Sequence, residues 1–132
     1  MRCLIVDDDP VCRKVLGAAL RAYGVTEEAV TGADAVEAVR AALLAKRPFR
    51  LITLDIMMPD MAGSAALAAI RALELMHGVV PHAAAKIFMS SSLADEKNLS
   101  SACREQCTAY LSKPIDLENM FLLFKTHGLI PG

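Results

Sequence analysis

The residues of this chain that could do chemistry are a run of acids and three groups distant from it in sequence. Asp7, Asp8 and Asp9 are consecutive and follow the apolar run at residues 3–6. Asp55 follows the apolar run at 51–54, Ser90 follows 87–89, and Lys113 lies just past 109–111. Carboxylates gathered in one place repel one another. Two unit charges about 5 Å apart cost roughly 3 kcal/mol at an effective dielectric of about 20. A divalent cation reverses the sign of that energy, and oxygen-only ligands completed by water suit Mg²⁺. A carboxylate can also attack phosphorus and form an acyl phosphate. The incoming group is anionic, so the reaction needs a cation beside it. Lys113 is the natural lysine, and Ser90 can donate a hydrogen bond to a phosphoryl oxygen.

Such groups act together only if the fold brings them together. Residues 3–6 read as a strand. Asp9 then caps a helix that has Pro10 at its first position. Val11, Val15, Ala18, Ala19 and Ala22 give that helix an apolar face, and Gly24 ends it. A weaker strand follows at 28–30. Asp34 caps a second helix, whose stripe is Val36, Val39 and Leu43; Pro48 stops it. Residues 51–54 are a third strand, and Pro59 and Gly63 punctuate the loop after it. Ala66, Leu67, Ile70 and Leu73 mark a third helix. A fourth strand is expected at 87–89, a fourth helix at 95–107 and a fifth strand at 109–111. Leu117, Met120, Phe121 and Phe124 form the stripe of a last helix. The connection at 75–85 is long and apolar for its place. Five strands alternating with five helices specify an α/β fold, a parallel sheet covered on both faces. Right-handed crossovers put every strand's C-terminal end on one edge, where sites form. The acids, Ser90 and Lys113 converge there.

Length and composition narrow the reading. With 132 residues the chain fits one domain, expected to span 1–132 with no output domain. Hydrophobic residues make up 55% of it, yet no apolar run approaches the ~20 residues of a membrane-spanning helix. The N-terminus does not read as a signal peptide, so a cytoplasmic location is expected. A formal net charge of −1 favours neither nucleic acid nor an anionic membrane. Cys3, Cys12, Cys103 and Cys107 read as reduced, packed thiols. With His77, His82 and His127 they form no recognisable zinc-ligand spacing.

Four segments together carry a family resemblance. They are Asp7-Asp8, Asp55-Ile56-Met57-Met58-Pro59-Asp60-Met61-Ala62-Gly63, Met89-Ser90-Ser91 and Lys113-Pro114. In this order and spacing the chain strongly resembles bacterial two-component response-regulator receiver domains of the single-domain, chemotaxis-regulator type. The resemblance covers essentially the whole chain. It implies a doubly wound, flavodoxin-like (βα)5 fold with strand order 2-1-3-4-5. Asp55 would be the phosphoacceptor. Asp8 and Asp55 would bind Mg²⁺ through side chains, Met57 through its backbone carbonyl and Asp7 largely through water. Lys113 would contact the phosphoryl group, and the Lys113–Pro114 bond would be cis, an uncommon state. Ser90 and Tyr110 would form the switch pair. Met57 and Ser92 occupy the positions that tune dephosphorylation. Met57 offers an attacking water no hydrogen-bond partner, which implies a moderately long-lived acyl phosphate. The phosphate would come from a sensor histidine kinase or a histidine phosphotransfer protein. A face of the fourth helix, fifth strand and fifth helix, residues 95–125, would report to a downstream target protein, or the chain would relay the phosphate among histidine-containing proteins. Such a chain is no enzyme beyond assisting its own phosphorylation and dephosphorylation. It needs neither nucleic acid nor membrane as a partner.

Two other readings use the same residues. Asp7-Asp8-Asp9-Pro10-Val11 also fits the D-x-D-x-V opening of haloacid-dehalogenase-type phosphatases, with Asp7 as nucleophile and Asp9 as general acid. That reading lacks a late acidic pair at a strand end and leaves Asp55-x-x-Met58-Pro59 unexplained. The third is a receiver-like binding module that is never phosphorylated; the complete acid, hydroxyl and lysine set argues against it.

Overall fold

Short apolar runs, each followed by a helix cap, set the element order in the computed structural model, which describes residues 1–92 and 100–131. The strands are β1 Arg2–Val6, β2 Val25–Ala29, β3 Leu51–Asp55, β4 Lys86–Ser91 and β5 Ala109–Ser112. The helices are α1 Pro10–Leu20, α2 Gly32–Leu44, α3 Gly63–Met76, α4 Ser101–Gln106 and α5 Leu117–Thr126. The start of the expected fourth helix, residues 95–99, lies outside the described residues. All strand pairs are parallel, in the order β2-β1-β3-β4-β5. The expected architecture is therefore present. The strand order reverses between β1 and β3, which opens a crevice at their C-terminal ends.

Strand alternation sorts the core into two layers. Leu4, Ile52, Leu54, Ile87 and Met89 face α2, α3 and α4, where Val39, Ile70 and Cys103 cover them. Cys3, Ile5, Leu51 and Phe88 face α1 and α5, where Leu16, Leu20, Met120 and Phe124 cover them. β3 is buried along its whole length, as a central strand covered on both faces must be. Among the described residues no helix is long and apolar enough to cross a membrane.

Three local expectations need correction. The buried face of α1 is Leu16 and Leu20, whereas Val11 and Val15 are 67% and 45% exposed. Alanines dilute the periodicity of this helix, so the two large leucines, four residues apart, decide which way it turns. β2 begins at Val25 rather than at 28. It is an edge strand, and an edge tolerates the exposed Glu27 and Glu28 that hide the pattern. Thr31, not Asp34, caps α2: its hydroxyl accepts the N–H of Asp34 at 3.1 Å. Asp9 does cap α1, accepting the N–H of Val11 at 2.9 Å.

The long α3–β4 connection is pinned by a part-buried ion pair. The Arg71 guanidinium donates to Glu74 Oε1 at 2.7 Å and to the carbonyls of Ala85 and Gln106. Glu74 Oε2 in turn accepts the N–H of Ala85 at 2.8 Å. Apolar burial alone does not specify this segment; Leu75 and Met76 remain exposed.

One buried hydroxyl has no hydrogen-bond partner among the described residues within the α1-side layer: Thr53 Oγ1, between Ile5 and Phe88 in the sheet. An orphaned buried polar group costs about 1–3 kcal/mol. Thr53→Val keeps the shape and removes the group. It is expected to stabilise the fold by about 1 kcal/mol in urea unfolding; a loss of stability would mean that the hydroxyl is satisfied.

Candidate functional site

Each candidate residue sits where a strand ends. The N–H of Asp7 continues the ladder from β1 to the carbonyl of Ala29. Asp55 is the last residue of β3 and pairs in register with Ser90 of β4. The N–H of Lys113 reaches the carbonyl of Ser91 at 2.8 Å, which carries β5 one step past its end. Gly63 allows the loop after β3 to fold back, since a Cβ there would lie 2.4 Å from the carbonyl oxygen of Asp55.

This brings Asp7, Asp8 and Asp55 together, with one oxygen of each within 4.8 Å of the others. Asp7 and Asp55 are buried and Asp8 is exposed. Lys113 Nζ lies 3.1 Å from Asp55 Oδ2 and 3.3 Å from Asp7 Oδ2. Asp7 is otherwise engaged: its Oδ1 accepts the N–H of Asp9 at 2.9 Å. Asp55 Oδ1 accepts the N–H of Met57 at 3.1 Å. Strand alternation puts Asp7, Asp55 and Ser90 on the face shared with Ile5, Leu51 and Phe88. The Lys113–Pro114 bond is cis, as expected.

The charges do not balance. Burial first, and then the neighbouring Asp7, push the Asp55 carboxyl above the ordinary aspartate pKa; Lys113 and the Met57 N–H offset only part of this. Burial works against the Lys113 ammonium, but hydrogen bonding and charge from Asp55 and Asp7 outweigh it. Its pKa therefore lies above that of an ordinary lysine. The donor set consists entirely of oxygen, carries excess negative charge and opens to solvent at Asp8. Those properties fit a hard divalent cation such as Mg²⁺.

Asp9 does not join the cluster. It is the exposed cap of α1, and the backbone N–H of Val11 holds its carboxyl below the usual range. The general acid of the phosphatase reading is thus spent on a helix end. Tyr110 lies on the opposite face of the sheet from Asp55, in register with Met89. Its hydroxyl is buried beside the thiols of Cys107 and Cys103; burial and then Cys107 raise its pKa. The Arg104 guanidinium lies 5.6 Å from the Tyr110 ring centroid.

Sequence reasoning missed two contributors. Arg13 donates to the backbone carbonyl of Asp7 at 2.8 Å and pairs with Glu28, bracing the acidic turn from α1. Asp60 bonds to the first turn of α2. Both contacts join segments that no local pattern links.

Residues 3–125 match the response regulator receiver domain family. The chain belongs to that family. The chemotaxis protein CheY of Treponema pallidum is 34% identical over 117 residues, covering 87% of this chain and 74% of CheY. The histidine-protein kinase BarA of Escherichia coli is 32% identical over 129 residues. That match covers 95% of this chain and only 13% of BarA. A solved CheY-like receiver domain from Methylobacillus flagellatus superposes with a TM-score of 0.74 at 22% identity, covering 96% of this chain and 98% of that one. The receiver domain of Ssk1, solved with the Saccharomyces cerevisiae histidine phosphotransfer protein Ypd1, gives 0.78 at 24%, covering 97% and 88%. Both likenesses concern the fold.

In this receiver domain the raised Asp55 pKa has a definite sign. The folded chain keeps the proton to a higher pH than the unfolded chain does. The contribution of Asp55 is therefore favourable below the ordinary aspartate pKa of about 3.9 and is lost as pH rises through the folded value. At neutral pH without metal the charged carboxylate is a net cost. Asp55→Asn is expected to raise the Tm of the metal-free protein at neutral pH, with a gain that shrinks as pH falls toward about 4. An unchanged or lowered Tm at neutral pH would contradict this charge balance.

Proposed function

We propose that Asp55 accepts a phosphoryl group from a phosphohistidine donor in a Mg²⁺-dependent reaction. The observation that carries this reading is the juxtaposition of three strand-end carboxylates with one ammonium 3.1 Å from the acceptor. Asp8 and Asp55 would hold the ion through side chains and Met57 through its backbone carbonyl. Asp7, with both oxygens already hydrogen-bonded, would reach it through water. When bound, Mg²⁺ neutralises phosphoryl oxygens in the transition state.

The chain's own residues do the rest. A carboxylate oxygen of Asp55 attacks phosphorus, and the P–N bond of the donor breaks with its electron pair leaving on the imidazole nitrogen. Lys113 stays protonated, because Asp55 and Asp7 favour its charge. It therefore acts as a fixed cation for the phosphoryl oxygens. Ser90, beside Asp55, supplies a hydroxyl to the same oxygens. The resemblance pairs Ser90 with Tyr110 as the switch, but the two lie on opposite faces of the sheet. The buried hydroxyl that shares the Tyr110 face is that of Ser91. A switch that biases two arrangements of the α4, β5 and α5 face toward a separate target protein would therefore pair Tyr110 with Ser91. The part of that face at residues 95–99 lies outside the described residues.

The exposure of Val11 and Val15 supports a docking place for the donor. They line a cavity of about 230 Å³ with Cys12, Leu16, Pro114 and Ile115, and Lys113 stands at its wall. An apolar side chain of a histidine-bearing partner would fit there, beside the lysine that contacts the acceptor. Val15→Glu is expected to cut phosphotransfer from a histidine phosphotransfer protein at least tenfold, about the 1.4 kcal/mol of one lost apolar contact. Labelling by acetyl phosphate should be unaffected. Equal loss from both donors would contradict the docking role.

Mass spectrometry after incubation with acetyl phosphate tests the central step. One added phosphoryl group is expected with Mg²⁺, and none with chelator or in Asp55→Asn. Labelling that survives Asp55→Asn would overturn the assignment. Met57 is 61% exposed and carries no acid or amide, so it gives an attacking water nothing to bond to. The acyl phosphate is expected to last minutes or more after donor removal. A half-life of seconds would contradict the role given to Met57.

A further inference from the structure

We propose that Asp60 is a positioning residue for the metal-binding carboxylates. It ties the loop after β3 to the N-terminus of α2 and so fixes Met57 and, through Met57, Asp55. The inference rests on the reading of Asp7, Asp8 and Asp55 as a Mg²⁺ site and goes beyond it.

Asp60 lies in the loop that joins β3 to α3. Its Oδ1 accepts the N–H of Gly32 and its Oδ2 the N–H of Ala33, each at 2.9 Å. These are first-turn N–H groups with no partner inside their own helix, and the helix dipole favours a carboxylate at that end. The bonds from Ala33 and then Gly32 hold the Asp60 carboxyl below the usual aspartate range. A second contact reinforces the tie. A Cβ on Gly32 would lie 2.3 Å from Met61 Cγ and 2.9 Å from its sulfur, so Met61 rests directly on the α2 backbone.

The loop is therefore anchored at both ends. At its start, the N–H of Met57 holds Asp55 Oδ1 at 3.1 Å. Near its end, the N–H of Gly63 holds the carbonyl of Ile56 at 2.7 Å. Between these points sits the Met57 carbonyl, a backbone ligand in the proposed site. Only the anchorage of the loop can place a backbone ligand. Asp60 is exposed, and the acids that cluster among the described residues are Asp7, Asp8 and Asp55. Asp60 thus acts through the loop rather than as a ligand. Groups fixed before binding lose less freedom when the ion arrives, which strengthens binding.

The test is calorimetric titration of Mg²⁺ into the wild type, Asp60→Ala, Asp60→Asn and Gly32→Ala, at low and high ionic strength. Amide exchange at Gly32 and Ala33 is followed in the same proteins. Asp60→Ala is expected to weaken Mg²⁺ binding about tenfold, as loss of an outer support of a metal site commonly does. Asp60→Asn keeps one acceptor oxygen and should lose less. Gly32→Ala keeps every charge but displaces Met61, and it should weaken binding as well. The losses should persist at high salt and accompany faster exchange of the two amides. Affinity for Asp60→Ala within about twofold of wild type would overturn the proposal. So would a loss that vanishes at high salt and is absent from Gly32→Ala, since Asp60 would then be only a distant charge. A wild type with no Mg²⁺ affinity would overturn the underlying metal reading, and this inference with it.

Discussion

Crowding of like charge at one sheet edge is the constraint on which the rest of this structure depends. Three carboxylates converge within 4.8 Å, and two of them are buried. Buried charge is costly unless it is paired. Lys113 supplies one positive charge to Asp7 and Asp55 together. Burial, and then the charge of Asp7 that Lys113 only partly offsets, hold the pKa of Asp55 above its ordinary value. Such an arrangement lowers stability, and proteins keep departures of this kind where a function uses them. Here the excess negative charge is what a hard cation, and then an incoming phosphoryl group with that cation, can exploit.

The frame holds the acids in place by several independent means. Parallel strand order delivers Asp7, Asp55, Ser90 and Lys113 from separate segments to one edge. The fully buried β3 anchors the acceptor from beneath. Arg13 grips the backbone of Asp7 from α1. The loop after β3 is held at Gly63 by close approach to Asp55 and at Asp60 by α2. Opposite the site, the Arg71–Glu74 pair fixes the start of β4 and the end of α4. The end of α4, one element of the proposed signalling face, is thereby bound to α3.

Much of this was legible in the sequence, for identifiable reasons. The α/β alternation, Asp9 as a cap with Pro10 behind it, and the stripe of α3 follow from local chemistry, and the structure reproduces them. Strand ends carrying acids could be placed on one edge because topology leaves them no other. The rotation of α1 was not legible, because alanine-rich helices carry a weak period and only Leu16 and Leu20 break the tie. The start of β2 was obscured by the charges an edge strand permits. The roles of Asp60 and Arg71 depend on partners remote in sequence, so no local spacing announces them. The start of α2 is set by a local cap, Thr31, three residues before Asp34, and Asp60 satisfies the two N–H groups between them.

The account's central claim is that the charge imbalance at Asp55 serves phosphorylation of that residue rather than of its neighbour Asp7. Borohydride reduction of the phosphorylated chain, followed by peptide sequencing, tests it most directly, because an acyl phosphate is reduced to homoserine at the residue that carried it. The account predicts homoserine at position 55 and aspartate at position 7. Homoserine at position 7, or none at either position in a chain that had gained a phosphoryl group, would contradict it.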